Sequence, residues 1–182
     1  MKWWRDNRGF LLFLFAMLAA RSSFADHYVV PSGSMERTLF PGDRVLVDKQ
    51  AYGLRIPFTL VKVTAGESAA RGDVVVFDAP DDGTRLIKRV VAVGGDRLEV
   101  RDGHVFVDGQ RGDARAALEL RLGGGPDVAP VRVPAGHLFV MGDFRGNSRD
   151  SRYFGFVNED RIYAKASGVY YRSGEGFVWK PL

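Results

Sequence analysis

A mostly β protein, an antiparallel β-sheet domain preceded by one N-terminal segment that reads either as a transmembrane helix or as an export signal, is the fold class this sequence predicts, on three observations. Short segments rich in β-branched residues recur at close intervals from Asp43 onward, punctuated by Gly, Pro and Asp-Gly pairs. No convincing helical period of apolar residues shows outside the N-terminus. The N-terminus itself places an uncharged apolar run, Gly9 to Ala20, behind a basic flank containing Lys2, Arg5 and Arg8.

That flank and run divide the chain into a basic N-terminus over residues 1–8, an anchor over 9–25 and a β-domain over 26–182. Twelve helical residues reach only ~18 Å, short of a ~30 Å hydrocarbon core. Two solutions follow. The helix can continue through Arg21 to about Ala25, with Arg21 snorkelling to the outer interface. Alternatively, Ser23-Phe24-Ala25 before Asp26 fits the small-x-small pattern of a cleaved export signal. The residues by themselves lean towards cleavage. In both cases Asp26 onward lies outside the cytoplasm.

The strands follow in order. Arg44 to Asp48 alternates and is β-branched, and Asp73 to Phe77 is a nearly continuous apolar run. Arg85 to Val93 is a long strand ending at Gly94-Gly95-Asp96. Leu98 to Gly109 reads as a hairpin with Asp102-Gly103 as its two-residue turn. A small insertion at about 97–136 includes the irregular stretch Gln110 to Pro134, in which Ala114 to Leu122 has the makings of a short helix. Its glycine triplet, Gly123 to Gly125, lacks the strand-to-helix context of a phosphate loop. Strand character returns at His137 to Met141, Arg161 to Ala166 and Gly168 to Arg172, and a last strand is expected at Phe177 to Lys180.

Composition narrows the chemistry. No cysteine is present, which removes disulfides, thiol catalysis and thiolate metal sites together. The three histidines, His27, His104 and His137, have no ligand spacing, so no metal and no cofactor is expected. Lys and Arg number 26 against 22 Asp and Glu, without a basic run interleaved with aromatics, so nucleic acid is not an expected partner.

Three stretches remain that can carry chemistry. Val30 to Leu39 reads V-P-S-G-S-M-E-R-T-L, with two hydroxyls flanking a glycine. A serine there becomes a nucleophile only if a base reaches it and amide donors face the developing oxyanion. Lys88 is the second feature. Period-2 placement puts it on one face of its strand with Leu86, Val90 and Ala92, and puts Arg89 on the other with Ile87 and Val91. A lysine among apolar side chains loses hydration of its ammonium and can become a neutral base; the plain alternative is a lysine snorkelling at a sheet edge. His27 beside Asp26 superficially offers a Ser-His-Asp set, but neighbours on an extended segment point to opposite faces. The third stretch, Met141 to Val157, packs Asp143, Arg145, Asn147, Ser148, Asp150 and Arg152 into one loop, a density suited to positioning a catalytic pair.

With these stretches assembled, the chain resembles the bacterial type I signal peptidases, membrane-anchored serine proteases that use a Ser-Lys dyad. The resemblance is carried by P-S-G-S-M and T-L (Pro31 to Leu39), G-D-R-V-L-V (Gly42 to Val47), R-G-D-V-V-V-F (Arg71 to Phe77), I-K-R-V-V-A-V-G-G-D (Ile87 to Asp96) and the box from Gly142 to Val157. It implies that Ser34 is the nucleophile and Lys88 the general base. It further implies an oxyanion hole from the Ser32 hydroxyl and Ser34 amide, a Ser148 hydroxyl orienting the Lys88 amine, and supporting ion pairs Asp143–Arg89 and Asp150–Arg152. Val30, Pro31, Met35, Leu39, Leu86 and Ile87 match positions lining the pockets for small substrate side chains.

By the same resemblance, the substrates are signal peptides of exported preproteins, the setting is the lipid of the bacterial inner membrane with a periplasmic catalytic domain, and the N-terminal segment stays uncleaved as a single span. Arg37, Phe144 and Gly146 depart from the usual Pro, Asn and Asp of the family's boxes. Two rivals stand beside this reading: another Ser-Lys processing peptidase, such as those of conjugation systems, and a non-catalytic tethered β-domain that binds peptides.

Overall fold

The structure is a computed structural model that describes residues 7–15, 17, 25–53, 63–64, 66–112 and 122–182. Residues 7–15 are helical, and among the described residues no helix is long and apolar enough to cross a membrane. The remainder of the expected anchor up to residue 24, and the helix expected from Ala114, lie outside the described residues apart from residue 17 and Leu122.

Twelve strands are described: β1 (Ala25–Val29), β2 (Arg44–Asp48), β3 (Val74–Asp78), β4 (Arg85–Val93), β5 (Arg97–Arg101), β6 (His104–Val107), β7 (Gln110–Arg111), β8 (Val128–Arg132), β9 (His137–Met141), β10 (Val157–Asn158), β11 (Ile162–Arg172) and β12 (Gly176–Pro181). Their pairings are antiparallel throughout. The large sheet runs β1-β2-β11-β3-β4-β9-β10, with β12 also on β11. β11 is one strand where the sequence reading had two. Bulges between Ile162 and Ala164, Ala166 and Gly168, and Val169 and Tyr171 let it pair with β2, β3 and β12 in turn.

The large sheet is covered on both faces at its centre, which explains the unbroken V-V-V-F of β3. Val74 and Val76 pack with Val30, Met35, Leu39, Val45, Val47 and Ile87, whereas Val75 and Phe77 pack with Val90, Leu138, Val140 and Ile162. A third cluster joins β4 and β9, through Val91, Ala92, Phe139 and Met141, to β5 and β6, through Leu98, Val100, Val105 and Val107. Here strict alternation fails. A register shift between Val90 and Ala92 turns Ala92 into this third cluster, away from the face it was expected to share with Val90.

The stretch Gln110 to Pro134 is more ordered than its composition suggests. It supplies β7 and β8, the two edges of a second sheet in the order β7-β6-β5-β8. Pro130 is accommodated because β8 is an edge strand. The Asp102-Gly103 turn forms as predicted, both residues having positive φ, 51° and 75°, as a type I′ hairpin turn requires.

Candidate active site

β9 ends at Met141, opposite Arg89 of β4, so Lys88 is the first β4 residue beyond the last paired position on that side. The vacated edge borders a 3-10 turn, Gly33–Met35, which follows β1 through Pro31 and an extended Ser32. The turn is seated by Phe144 N, which donates to the Ser34 carbonyl at 3.1 Å. Gly142 makes this seating possible, because a β-carbon there would overlap the Ser34 carbonyl and the Ser148 hydroxyl.

Within this frame the Lys88 Nζ lies 2.7 Å from the Ser34 Oγ. Lys88 is only 3 % exposed and Ser34 7 %. Desolvation is the largest influence on the amine and drives its pKa from the usual 10.5 down to about 8; Arg152 acts in the same direction, while Asp150 and Asp143 oppose it. A minor but usable fraction of the amine is therefore neutral at pH 7.

The two expected ion pairs form. Arg89 grips Asp143 with two bonds, Nε to Oδ1 at 2.8 Å and Nη2 to Oδ2 at 2.7 Å. Arg152 grips Asp150 in the same way, at 2.8 and 2.9 Å, with both side chains wholly buried. Asp150 also accepts the Gly142 amide at 3.0 Å, which ties the second pair to the floor beneath Ser34. The Ser32 hydroxyl lies 3.4 Å from the Ser34 Oγ.

Two expected placements differ. The Ser148 hydroxyl is buried but has no hydrogen-bond partner among the described residues, so its expected bond to the Lys88 amine is not made. Its oxygen sits over Gly142, while the amine is turned to Ser34. Of the pocket residues, Val30, Met35, Leu39 and Ile87 converge in one cluster, whereas Leu86 packs into the cluster on the opposite face and Pro31 is exposed. Adjacent strand residues alternate in direction, so Leu86 and Ile87 could not both line one wall.

The histidine alternative does not assemble. Asp26 is held by Lys49 at 3.0 Å and by the Tyr163 hydroxyl at 3.3 Å, and the Ser34 hydroxyl has Lys88 rather than His27 beside it. Three groups not assigned a role from sequence contribute. The Thr38 hydroxyl donates to Asp143 at 2.6 Å, fastening the far end of the serine segment to the Arg89 pair. Arg172 holds Asp43 at 2.7 Å and donates to the Thr38 carbonyl at 3.3 Å. Arg145, 2 % exposed, donates to the Gly142 and Gly103 carbonyls and so joins the second sheet's hairpin to the site. The T-L after P-S-G-S-M and the Gly42-Asp43 pair were the available signals for the first two.

Arg37 has a φ of 75°, in a turn closed by Thr38 N donating to the Met35 carbonyl at 3.0 Å. A proline ring, locked near −65°, cannot take that conformation, so the position where the resemblance has proline is built differently here. Arg37→Gly is expected to raise stability by about 0.5–1 kcal/mol by relieving a left-handed side chain, read as a rise in urea midpoint at unchanged slope.

A family model described as signal peptidase, peptidase S26, matches residues 3–171. Signal peptidase I of Pseudomonas fluorescens is 33% identical over 206 residues, covering 90% of this chain and 71% of the relative. The Pseudomonas aeruginosa enzyme of the same name is 34% identical over 201 residues, with the same coverage. Signal peptidase I P of Bacillus subtilis subsp. natto is 31% identical over 174 residues, covering 90% of this chain and 86% of the relative. A solved signal peptidase I from Enterococcus faecalis superposes with a TM-score of 0.44 at 28% identity, covering 54% of this chain and 97% of that one. These matches define an enzyme of the serine protease class. The chain belongs to the signal peptidase family, peptidase S26.

Proposed function

We propose that this protein is a membrane-anchored endopeptidase that removes signal peptides from exported preproteins through a Ser34–Lys88 dyad and an acyl-enzyme. The observation that carries this reading is the 2.7 Å approach of a serine hydroxyl to a lysine amine that is only 3 % exposed. Neutral Lys88 takes the Ser34 proton, and Ser34 attacks the carbonyl of the scissile bond. The Ser34 amide and Ser32 hydroxyl stabilise the oxyanion. Lys88 then returns the proton to the leaving amine and activates the water that frees the acyl group. Ser148, whose buried hydroxyl has no partner among the described residues, would hold the amine once Ser34 is acylated.

An extended substrate pairs along the β4 edge that β9 leaves open, from Arg85 to Lys88. Val30, Met35, Leu39 and Ile87, packed in one buried cluster beside the serine turn, would set the preference for small substrate side chains. Residues 9–25 anchor the chain in the bacterial inner membrane, with residues 1–8 cytoplasmic and residues 26–182 on the outer side.

The test is processing of a preprotein in detergent by the purified wild type beside Ser34→Ala. Wild type releases the mature protein and Ser34→Ala does not; equal performance of the two would favour a peptide-binding role and overturn the reading. The pH dependence gives a second check. Because the neutral amine is the active form, kcat/KM rises close to tenfold per pH unit below about 8 and levels off above it. A rate independent of pH from 5 to 9 would remove Lys88 as the base.

A further inference from the structure

The open edge of β4 offers a bound strand fewer hydrogen-bonding groups than its length suggests. Along any strand, successive residues turn their N–H and C=O groups to opposite sides. The Val90 amide donates to the Asp73 carbonyl and the Val90 carbonyl accepts the Gly72 amide, both at 2.8 Å, and the Thr84 carbonyl accepts the Ala79 amide at 2.9 Å. Thr84 and Val90 thus face the β3 side. The register between the two strands is unbroken from Arg85 to Arg89, so Leu86 and Lys88 face it too. Arg85 and Ile87 consequently turn their backbone groups to the other side, where pairing with β9 begins only at Arg89. Their two carbonyls, about 6.6 Å apart along the strand, are the acceptors a strand laid on this edge would use.

One of them is already engaged. The Tyr28 hydroxyl donates to the Arg85 carbonyl at 3.2 Å. Both partners are firmly held. Tyr28 lies opposite Val45 in the β1–β2 pairing, and its ring packs against the cluster that contains Val30, Met35, Leu39 and Ile87. Asp78 holds the Arg85 side chain, Nε to Oδ1 at 2.9 Å and Nη2 to Oδ2 at 3.3 Å, and the guanidinium lies 4.2 Å from the centre of the Tyr163 ring. The Tyr163 hydroxyl donates in turn to Asp26 of β1 at 3.3 Å. Burial raises the Tyr28 pKa above its usual value, so the phenol keeps its proton and remains a donor.

We propose that Tyr28 is a positioning residue that closes the substrate edge at Arg85, leaving the Ile87 carbonyl as the edge's acceptor for a bound strand. This rests on the peptidase reading above. A substrate amide opposite Ile87 is bonded, whereas the amide two residues farther from the cut meets an acceptor that is already spent. Neighbouring acceptors of one edge take amides two residues apart in parallel and in antiparallel pairing alike, so the spacing holds for either direction of the substrate. The edge grips the residues nearest the scissile bond and is indifferent to the main chain beyond them. A residue without an N–H, such as proline, is tolerated there.

The test is cleavage of a synthetic preprotein fragment carrying the whole signal segment and the start of the mature chain. In a series of such fragments each amide before the cut is replaced in turn by an ester, which removes one N–H donor. For wild type, kcat/KM should fall about three- to tenfold at the position facing Ile87, and less than about twofold two residues farther from the cut. Tyr28→Phe keeps the ring and deletes the hydroxyl. It should take the unmodified fragment with a lower KM and acquire a second sensitive position, two residues beyond the first, with a loss of about three- to tenfold. A merely structural role for the hydroxyl would shift all rates together without creating that position. A wild type already sensitive at both positions would mean that the Arg85 carbonyl accepts both donors, and would overturn the proposal. So would a Tyr28→Phe enzyme with the wild-type pattern. If wild type cuts the fragment but no ester in the series matters, the peptidase reading stands and the closed edge falls. A wild type that leaves the unmodified fragment whole removes both.

Discussion

Lys88→Met is expected to lower kcat/KM by about 10³-fold while making the folded protein more stable. The loss follows from removing a general base, which contributes roughly 10²–10⁴ in rate, from a hydroxyl whose described side-chain hydrogen-bond partners are that amine and the Ser32 hydroxyl. The gain follows from linkage. The amine has a pKa of about 8 in the folded state against an ordinary 10.5, so the unfolded chain binds more protons between those values and stability rises with pH across that window. Below pH 8 the full cost of carrying the buried amine is felt, about 3 kcal/mol at about 1.36 kcal/mol per factor of ten. Methionine keeps the apolar stem and removes the charge. Chemical denaturation at pH 7 should show the variant more stable by that order, and the two proteins should converge by about pH 10.5. A variant that is both inactive and destabilised would mean that the amine is held by compensating bonds, and the account of a desolvated base would fail.

Asp150→Ala is expected to cost about 3–5 kcal/mol, the penalty for leaving a buried charge without its partner. The Arg152 side chain it pairs with is wholly buried, and after the change the guanidinium would keep, among the described residues, carbonyl partners, those of Arg145 and Gly124 among them. Asp150 also caps the single helical turn Ser151–Phe154, accepting the Arg152 amide at 3.2 Å, and holds the Gly142 amide under Ser34. Activity should therefore fall with stability. What survives should have a displaced pH profile. Asp150 raises the Lys88 pKa and Arg152 lowers it, so removing the carboxylate moves the rise in activity to lower pH. Replacing both partners, as in Asp150→Leu/Arg152→Met, should restore much of the stability but not the activity, because the Gly142 amide stays unpaired. Thermal unfolding with residual rate measured on the same samples separates the two effects.

Much of the β architecture was legible because it is written locally. The alternation of Arg44 to Asp48, the unbroken apolar run of β3 and the Asp102-Gly103 turn each specify backbone geometry from a few neighbouring residues. The second sheet was less legible. Its edges, β7 and β8, lie among glycines and prolines and draw their order from β5 and β6 rather than from their own propensity. Lys88 and Arg89 show the same limit within the site. They are adjacent cations on one strand, with opposite fates: one is stripped of water beside Ser34, the other is neutralised bidentately by Asp143.

By itself the sequence determined the types of group available and the strands that carry them: two serines around a glycine, a lysine inside an apolar strand, a loop rich in paired charges, and no thiol to offer another chemistry. Tertiary structure decided which of these meet. Ser34 and Lys88 are 54 residues apart and come within 2.7 Å because β9 stops opposite Arg89, leaving a strand edge that the serine turn borders. Where a strand ends against its neighbour is set by pairing register across the whole sheet, and no local period encodes it.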